Sequence, residues 1–272
     1  MSLDLEGQTL HGRYQVSKKI GSGGSGLVYL ATDLRTPRSV ALKILKAEAQ
    51  SSPEMCRRRE IEIAVLASMG HNNIVTLHDV IEYQGITVAV MEYVPGETLA
   101  QILSRTSAEK CDPGHNTVTM GAEFQGFTLT IQSAVWIALE CLEALGYAHA
   151  HKKKIVHRDI KPGNIILTPD HKGGFQVKLT DFGIAKVLSP DEGEVHDLSL
   201  TQTGVAMPGT PYYMAPEQID PTTFGPICPA TDFYALGVTL YQMLTLQAPF
   251  HGSMDAVKYG HTHQAPPPAV SI

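Results

Sequence analysis

The sequence has no long uncharged apolar run, no paired cysteines and no excess of basic charge, and each shortage removes a class of function. The nearest approach to a membrane span, "ALGVTLYQMLTLQAPF" from Ala235, carries two glutamines and a proline near its end, short of the roughly 18 uncharged apolar residues that a span requires. It reads as a buried helix. The opening "MSLDLEG" lacks a basic region followed by an apolar run, so no signal peptide is expected. Cys56, Cys111, Cys141 and Cys228 lie far apart without CxxC spacing, which argues against a disulfide framework or a zinc knuckle and fits a reducing compartment. The formal charge of -6 argues against nucleic acid as a partner, because affinity for its backbone comes largely from Lys and Arg. The basic run Arg57, Arg58, Arg59 is balanced at once by Glu60 and Glu62. Cys111 with His115, and His261 with His263, have metal-ligand spacing, but each lacks a second pair nearby and reads as a surface loop.

What remains is an ordinary globular composition, 43% hydrophobic over 272 residues, enough for one large domain or two lobes. From Tyr14 to Val94 the runs "YQVSKKI", "LVYLATD", "SVALKIL", "IVTLHDVIEY" and "ITVAVMEYV" are strand-like and separated by Gly, Pro, Asn and Asp. One helix interrupts them, with Ile61, Val65, Leu66 and Met69 at helical spacing before Gly70. Beyond Pro95 and Gly96 the pattern becomes helical. Ile131, Ala134, Val135, Ala138, Leu142 and Leu145 make one apolar stripe, and residues 232–246 another. The division expected is a small β-rich lobe over residues 1–91, a hinge at 92–97 and a larger helical lobe over 98–272, with residues 104–127 as a polar loop insertion.

Three stretches concentrate chemistry-bearing residues. "GSGGSGLV" spaces Gly21, Gly23 and Gly26 as GxGxxG, with Val28 two residues on, and glycines let backbone amides approach phosphates. A dinucleotide fold would open a helix there and carry an acid about 20 positions later. Instead the alternating "LVYLA" follows and "VALK" supplies Lys43, so the glycines read as a β-turn-β flap. An ammonium in so apolar a strand is costly to bury without anionic partners; phosphate oxygens would serve. Glu60 and Glu62 could each pair with it, but they point about 200° apart on a helix. Glu62 stands three, four and seven residues before Val65, Leu66 and Met69, so it is expected to face inward and Glu60 to be solvated. "HRDIKPGN", residues 157–164, packs His157, Arg158, Asp159, Lys161 and Asn164 into one turn after Ile155 and Val156. "LTDFG", residues 179–183, puts Asp181 at the end of a strand. With the Asn164 amide it makes hard oxygen ligands suited to Mg²⁺, against the plainer reading of a turn-capping aspartate.

Taken in order, "GSGGSGLV", "VALK", "HRDIKPGN", "DFG" and "APE" (Ala215 to Glu217) resemble the eukaryotic-type protein kinase signature over residues 14 to about 265. "HGRYQV", "YLATD", "TQTG" and "GTPYYMAPEQ" are most similar to bacterial receptor-associated Ser/Thr kinases. The resemblance implies an α+β, two-lobed kinase fold and transfer of the γ-phosphoryl of ATP, with Mg²⁺ or alternatively Mn²⁺, to Ser/Thr hydroxyls of proteins. It implies a cytoplasmic location, either as a free protein or as the cytoplasmic domain of a longer membrane-attached one.

By the same resemblance Asp159 serves the acceptor hydroxyl, Lys161 the γ-phosphoryl, Lys43 the α- and β-phosphates with Glu62 as its partner, and Asn164 and Asp181 the metal. Arg158 is expected to grip a phosphate on the activation segment, and His157 to stack beneath Phe182 in a column with Leu66 and Leu77. ATP is expected against Ile20, Gly21, Ser22, Gly23, Gly24, Ser25 and Gly26. Its adenine is expected against Val28, Ala41 and Ile166, bonded to hinge backbone at Glu92 and Val94, with Met91 guarding the back. Lys161 and Thr210 favour Ser/Thr over Tyr, Glu97 is a candidate contact for ribose or a basic substrate residue, and Gly163 speaks against basophilic specificity. Thr201 and Thr203 are expected autophosphorylation sites. The family's last two helices are expected to be missing after Ile272, leaving a buried Glu217 unpaired and a homodimer through the kinase domain as one way to cover the gap. The alternatives are a pseudokinase-like binding scaffold and a small-molecule phosphotransferase. Lys43, Asp159, Asn164 and Asp181 speak against the first, and the long segment 183–217 against the second.

Overall fold

Alternation of apolar and polar residues lets each strand between residues 14 and 45 bury one face, and hydrogen bonding between neighbours then builds a sheet. The computed structural model describes residues 4–23, 26–45, 63, 66–111, 129–170, 174–182 and 211–269. Strands β1 (Thr9–Leu10), β2 (Tyr14–Gly23), β3 (Gly26–Asp33), β4 (Arg38–Leu45), β5 (Leu77–Tyr83) and β6 (Ile86–Glu92) form one antiparallel sheet in the order β1-β2-β3-β4-β6-β5. Tyr14, Val16, Tyr29, Ala31, Val40, Leu42, Val88 and Val90 pack on one face with Leu5 and Leu10. Each large side chain so buried stabilises the fold by about 1.5–3 kcal/mol.

An ionic clip fixes where the first strands meet. Asp33, fully buried at the end of β3, accepts from Arg13 Nε at 2.9 Å and Nη2 at 2.8 Å, from Thr36 Oγ1 at 3.0 Å and from the Arg35 amide at 3.1 Å. The Arg13 guanidinium also lies 3.6 Å from Asp79 on β5 and 4.7 Å from the centre of the Tyr14 ring. Hydrogen bonding from Arg13 holds the Asp33 carboxyl well below the usual carboxylate range, and the same bond raises the guanidinium.

The expected strands are present, with two differences. β1 was not anticipated, and β5 begins at Leu77 because Ile74 instead bridges Leu179 in parallel. Residues 63, 66 and 67 are helical and Leu66 and Met69 are buried; Ile61, Glu62 and Val65 of the expected helix lie outside the described residues.

The chain divides into two units: Met1–His71 with Val75–Val94 and Ile184–His196, and Asn72–Ile74 with Pro95–Gly183 and Asp197–Ile272. The second holds a small antiparallel sheet, β7 (Glu97–Thr98), β8 (Ile165–Pro169) and β9 (Phe175–Leu179). It also holds helices α1 (Leu99–Cys111), α2 (Ile131–Ala150), α3 (Pro216–Ile219), α4 (Pro221–Phe224), α5 (Pro229–Thr245) and α6 (Met254–His263). α2 starts at a reciprocal cap, in which the Thr130 hydroxyl accepts from the Ser133 amide and Ser133 Oγ accepts from the Thr130 amide. Asn73 ties β9 to α2, donating to Val177 O at 2.9 Å and to Glu140 Oε2 at 2.6 Å, while its carbonyl accepts from the Leu179 amide.

Two expectations are corrected here. Residues 104–111 continue α1 instead of opening a loop, since "SRTSAEKC" contains neither Gly nor Pro to stop a helix. α2 buries Ala134, Ile137, Ala138, Cys141, Ala144, Leu145 and Ala148, whereas Ile131, Val135 and Leu142 of the expected stripe are 74%, 46% and 41% exposed. Among the described residues no helix is long and apolar enough to cross a membrane.

Because Asp33 has a lower pKa folded than unfolded, its contribution is complete above the unfolded value of about 4 and is lost as pH falls towards the folded one. Asp33→Asn is expected to lower the thermal midpoint at pH 7 by several degrees and to flatten its decline between about pH 5 and 3. A variant whose midpoint tracks the parent across that range would rule out the clip as a source of stability.

Candidate active site

The backbone from Ile155 to Lys161 belongs to no regular element, and its shape is imposed by side chains from elsewhere. Asp232, fully buried in the first turn of α5, accepts the His157 amide on Oδ2 at 2.8 Å and the Arg158 amide on Oδ1 at 2.7 Å. His149 on α2 donates Nε2–H to the same Oδ2 at 2.8 Å. Arg158 sits at φ 69° and Asp181 at φ 68°, left-handed conformations that a non-glycine residue keeps only where its surroundings hold it. Sequence reasoning missed Asp232. An acid in the first turn of an apolar helix reads as a partner of the helix dipole, and its only signal was a charge inside the apolar run "CPATDFYALG".

On this turn the Asp159 carboxylate accepts from Lys161 Nζ at 2.9 and 2.7 Å and from Asn164 Nδ2 at 2.9 Å. Asn164 Nδ2 also donates to the Asp159 carbonyl at 2.7 Å. Asp159 keeps 36% of its side-chain surface exposed, so a proton donor from outside can reach it. The His157 ring donates Nε2–H to Thr180 O at 2.9 Å and accepts the Asp159 amide on Nδ1 at 3.3 Å, which sets the neutral tautomer; its ring centre lies 4.5 Å from that of Phe182. The Thr180 amide in turn donates to Asn164 O at 3.0 Å. These bonds bring Asp159, Lys161, Asn164 and the segment carrying Asp181 together in one unit. With the Asn164 side-chain nitrogen spent on Asp159, its Oδ1 is the atom that could hold a cation. Together with the Asp181 carboxylate it offers hard oxygen donors that fit a small divalent cation taking its other ligands from phosphate and water.

A short turn, Pro211–Tyr213, lies before α3. Tyr213 OH donates to Gln242 Oε1 at 2.6 Å, and burial pushes its pKa up to about 12. His261 on α6 donates Nε2–H to Tyr212 O at 3.1 Å and accepts from Tyr234 OH at 2.8 Å. Burial lowers its pKa and favours the neutral ring that this pattern needs.

In the other unit Lys43 is buried on β4, in register with Val28 on β3 and Ala89 on β6, while Ala41 pairs with Met91. Gly21 pairs with Val28, Ser22 with Leu27, and Gly23 closes against Gly26. Gly26 has φ 120°, and a Cβ there would lie 2.4 Å from Ile44 O, so the hairpin demands glycine at that position. Ile20 is exposed, Val28, Ala41 and Val94 are half-buried, and Met91 is buried. The Glu92 amide is committed to Thr76 O at 2.8 Å. In the second unit Ile166 is half-buried on β8, opposite Lys178. Gly24, Ser25, Glu62, Thr201, Thr203, Thr210 and His115 lie outside the described residues.

Three expectations do not hold. Glu97 is buried and accepts from Arg105 Nη1 at 3.1 and 2.9 Å, so its carboxylate is already neutralised. Glu217 is half-exposed, not buried as expected, and accepts from the Thr231 hydroxyl. His261 and His263, read as a surface loop, stand instead on helix α6, where His261 is buried and engaged with Tyr212 and Tyr234 and His263 shares a hydrogen bond with the Thr262 hydroxyl and stacks on Tyr259.

Comparison with known proteins agrees with this geometry. Residues 14–267 match the family model described as the protein kinase domain. The chain is 38% identical to the serine/threonine-protein kinase PknA of Mycobacterium tuberculosis over 96% of its own length and 54% of the relative's. It is 37% identical to the serine/threonine-protein kinase PrkC of Bacillus subtilis over 91% of its length and 33% of the relative's. It thus spans about half or less of these relatives. The crystal structure of the Mycobacterium tuberculosis PknI kinase domain is similar with a TM-score of 0.60 at 26% identity, covering 89% of this chain and 78% of that one.

Replacing Asp232 by Asn would leave one acceptor where three donors converge and would set an N–H₂ group against them. Asp232→Asn is expected to cost about 3 kcal/mol of stability, read as a lower denaturant midpoint at unchanged slope. A midpoint equal to the parent's would show that the turn does not depend on it.

Proposed function

This chain belongs to the protein kinase family, a family that uses ATP and a divalent metal, and on that premise we propose that it is a serine/threonine protein kinase acting with MgATP on proteins. What carries this reading is the Asp159 carboxylate, held by Lys161 at 2.7 Å and Asn164 at 2.9 Å on a turn anchored through Asp232. In the proposed step the acceptor hydroxyl oxygen bonds to the γ-phosphorus, the bond from that phosphorus to its bridging oxygen breaks, the hydroxyl proton passes to Asp159, and ADP leaves. Lys161 offsets charge on the transferring group, Lys43 with Glu62 steadies the α- and β-phosphates, and Asn164 and Asp181 hold Mg²⁺, for which Mn²⁺ can substitute. When bound, that cation neutralises phosphate charge.

In the same proposal residues 92–97 are a hinge between an N-lobe of 1–91 and a C-lobe of 98–272. The nucleotide meets residues 20–26, Val28, Ala41, Met91, Glu92, Val94 and Ile166. The Glu92 contribution is its carbonyl, since its amide serves Thr76. Ser/Thr kinase names among relatives at 37–38% identity support the choice of acceptor. Protein substrates, cytoplasmic action and homodimer formation belong to the proposal as well.

Phosphate transfer from MgATP to casein and to the chain itself tests the reading. Asp159→Asn is expected to lose transfer by at least about 10²-fold while nucleotide affinity stays nearly unchanged, and Lys43→Met to be inactive. Turnover within about tenfold of the parent in either variant would overturn the assignment.

Autophosphorylation at Thr201 and Thr203 is expected in the same incubation, because each phosphate adds about two negative charges that Arg158 can pair with. Phosphate found only at other positions by peptide mapping would exclude those two sites.

A further inference from the structure

We propose that Gln218 is a positioning residue for the catalytic turn, its side-chain amide joining the carbonyl of Arg158 to the backbone amide of Ala215. The inference rests on the kinase reading above. Gln218 Nε2 donates to Arg158 O at 2.8 Å, and Gln218 Oε1 accepts from the Ala215 amide at 3.0 Å. A carbonyl can only accept and an N–H can only donate, so a single orientation of the side-chain amide satisfies both. The position therefore requires donor and acceptor on one planar group. A carboxylate cannot donate, lysine and arginine cannot accept, and asparagine is one methylene short.

The geometric consequence falls on Arg158, which stands directly before Asp159. Its N–H belongs to the peptide plane it shares with His157, and that plane is held by Asp232 Oδ1 at 2.7 Å. Its C=O belongs to the plane it shares with Asp159, and that plane is held by Gln218 at 2.8 Å. With the planes on both sides of one Cα clamped, φ and ψ of Arg158 are set together, at a φ of 69° that the residue would otherwise leave. The second plane also contains the Asp159 nitrogen, so it fixes the direction in which the Asp159 side chain leaves the backbone. The bond from the Asp159 amide to His157 Nδ1 is long, 3.3 Å, and gives weak support by comparison.

At its other end the amide reaches the fully buried Ala215, which follows Met214 and the turn Pro211–Tyr213. That turn is tied down by Tyr213 on Gln242 and by His261 on the Tyr212 carbonyl. Gln218 thus links the proton acceptor to residues 211–215, part of the segment 183–217 whose length speaks for a protein acceptor over a small molecule. Its loss is expected to act on phosphate transfer to protein and to leave nucleotide affinity alone.

Two variants separate the bonds. Gln218→Glu keeps the size and the acceptor for Ala215 but loses the donor to Arg158; Gln218→Met keeps the length and loses both. In each, kcat for casein is expected to fall about tenfold or more, with KM for ATP unchanged within about twofold and amide hydrogen exchange faster in peptides covering 157–161. The Gln218→Glu deficit relative to the parent should shrink as pH is lowered from 8 to 6, because a glutamate facing the Arg158 carbonyl has a raised pKa and regains an O–H donor when protonated. Gln218→Met should show no such recovery. Parent-like kcat and exchange in both variants, loss in step with the thermal midpoint, or a glutamate deficit equal at every pH would each overturn the proposal. A parent chain that transfers no phosphate would overturn the kinase reading instead. The exchange measurement then still decides the role of Gln218: faster exchange at 157–161 upholds it, and unchanged exchange removes it.

Discussion

The second unit depends on one buried carboxylate. Asp232 has no solvent exposure and receives three N–H groups, two from the backbone of the turn at 157–158 and one from His149. An ionised group so placed would be prohibitively costly without donors. Hydrogen bonds to a charged acceptor contribute about 1.5–3 kcal/mol each, enough to offset the roughly 1–3 kcal/mol of strain in holding Arg158 left-handed. Because Asp232 stands on the long helix α5, the turn inherits the rigidity of a regular element although it has no repeating hydrogen bonds of its own. Reactive groups are best held this way, since catalysis by positioning is lost with displacements on the order of 1 Å.

The first unit solves its positioning problem differently, through register. Lys43 faces Val28 and Ala89, and Ala41 faces Met91, because the alternating strands have one apolar face to bury. A slip of one residue would turn every side chain of a strand to the opposite face. The Arg13–Asp33 clip reinforces that register at the sheet's start. The closure of Gly23 against Gly26 allows the hairpin to turn at a backbone geometry that other residues resist.

The strands were legible because an apolar period of two suits a half-buried strand and no helix, whereas the buried face of α2 was misjudged for a physical reason. Its sequence is apolar around much of the helix, and hydrophobicity alone ranks Ile131, Val135 and Leu142 above alanine. Close approach between helices favours small side chains, and the face that packs carries Ala134, Ala138, Ala144 and Ala148. Size decided between two faces that polarity could not separate. Glu97 was misjudged in a related way: its partner Arg105 stands eight residues on, across a strand-to-helix junction. Neither strand nor helix periodicity points to that pairing.

The candidate site shows the same division between local and distant information. "HRDIKPGN" draws notice because its polar residues fall within eight positions, yet the residues that shape it, Gln218 and Asp232, bond to it from 60 and 75 positions away. Each has an ordinary local role, Asp232 as an acid in a helix's first turn and Gln218 as a polar residue on a short, half-exposed helix. Local pattern shows which groups are reactive, because reactivity belongs to residue type. It cannot show which backbone planes are clamped, because a clamp is a relation between distant donors and acceptors. Without those relations the turn would be a charged loop free to relax from its left-handed residue. With them, Asp159, Lys161 and Asn164 hold one another in a single arrangement.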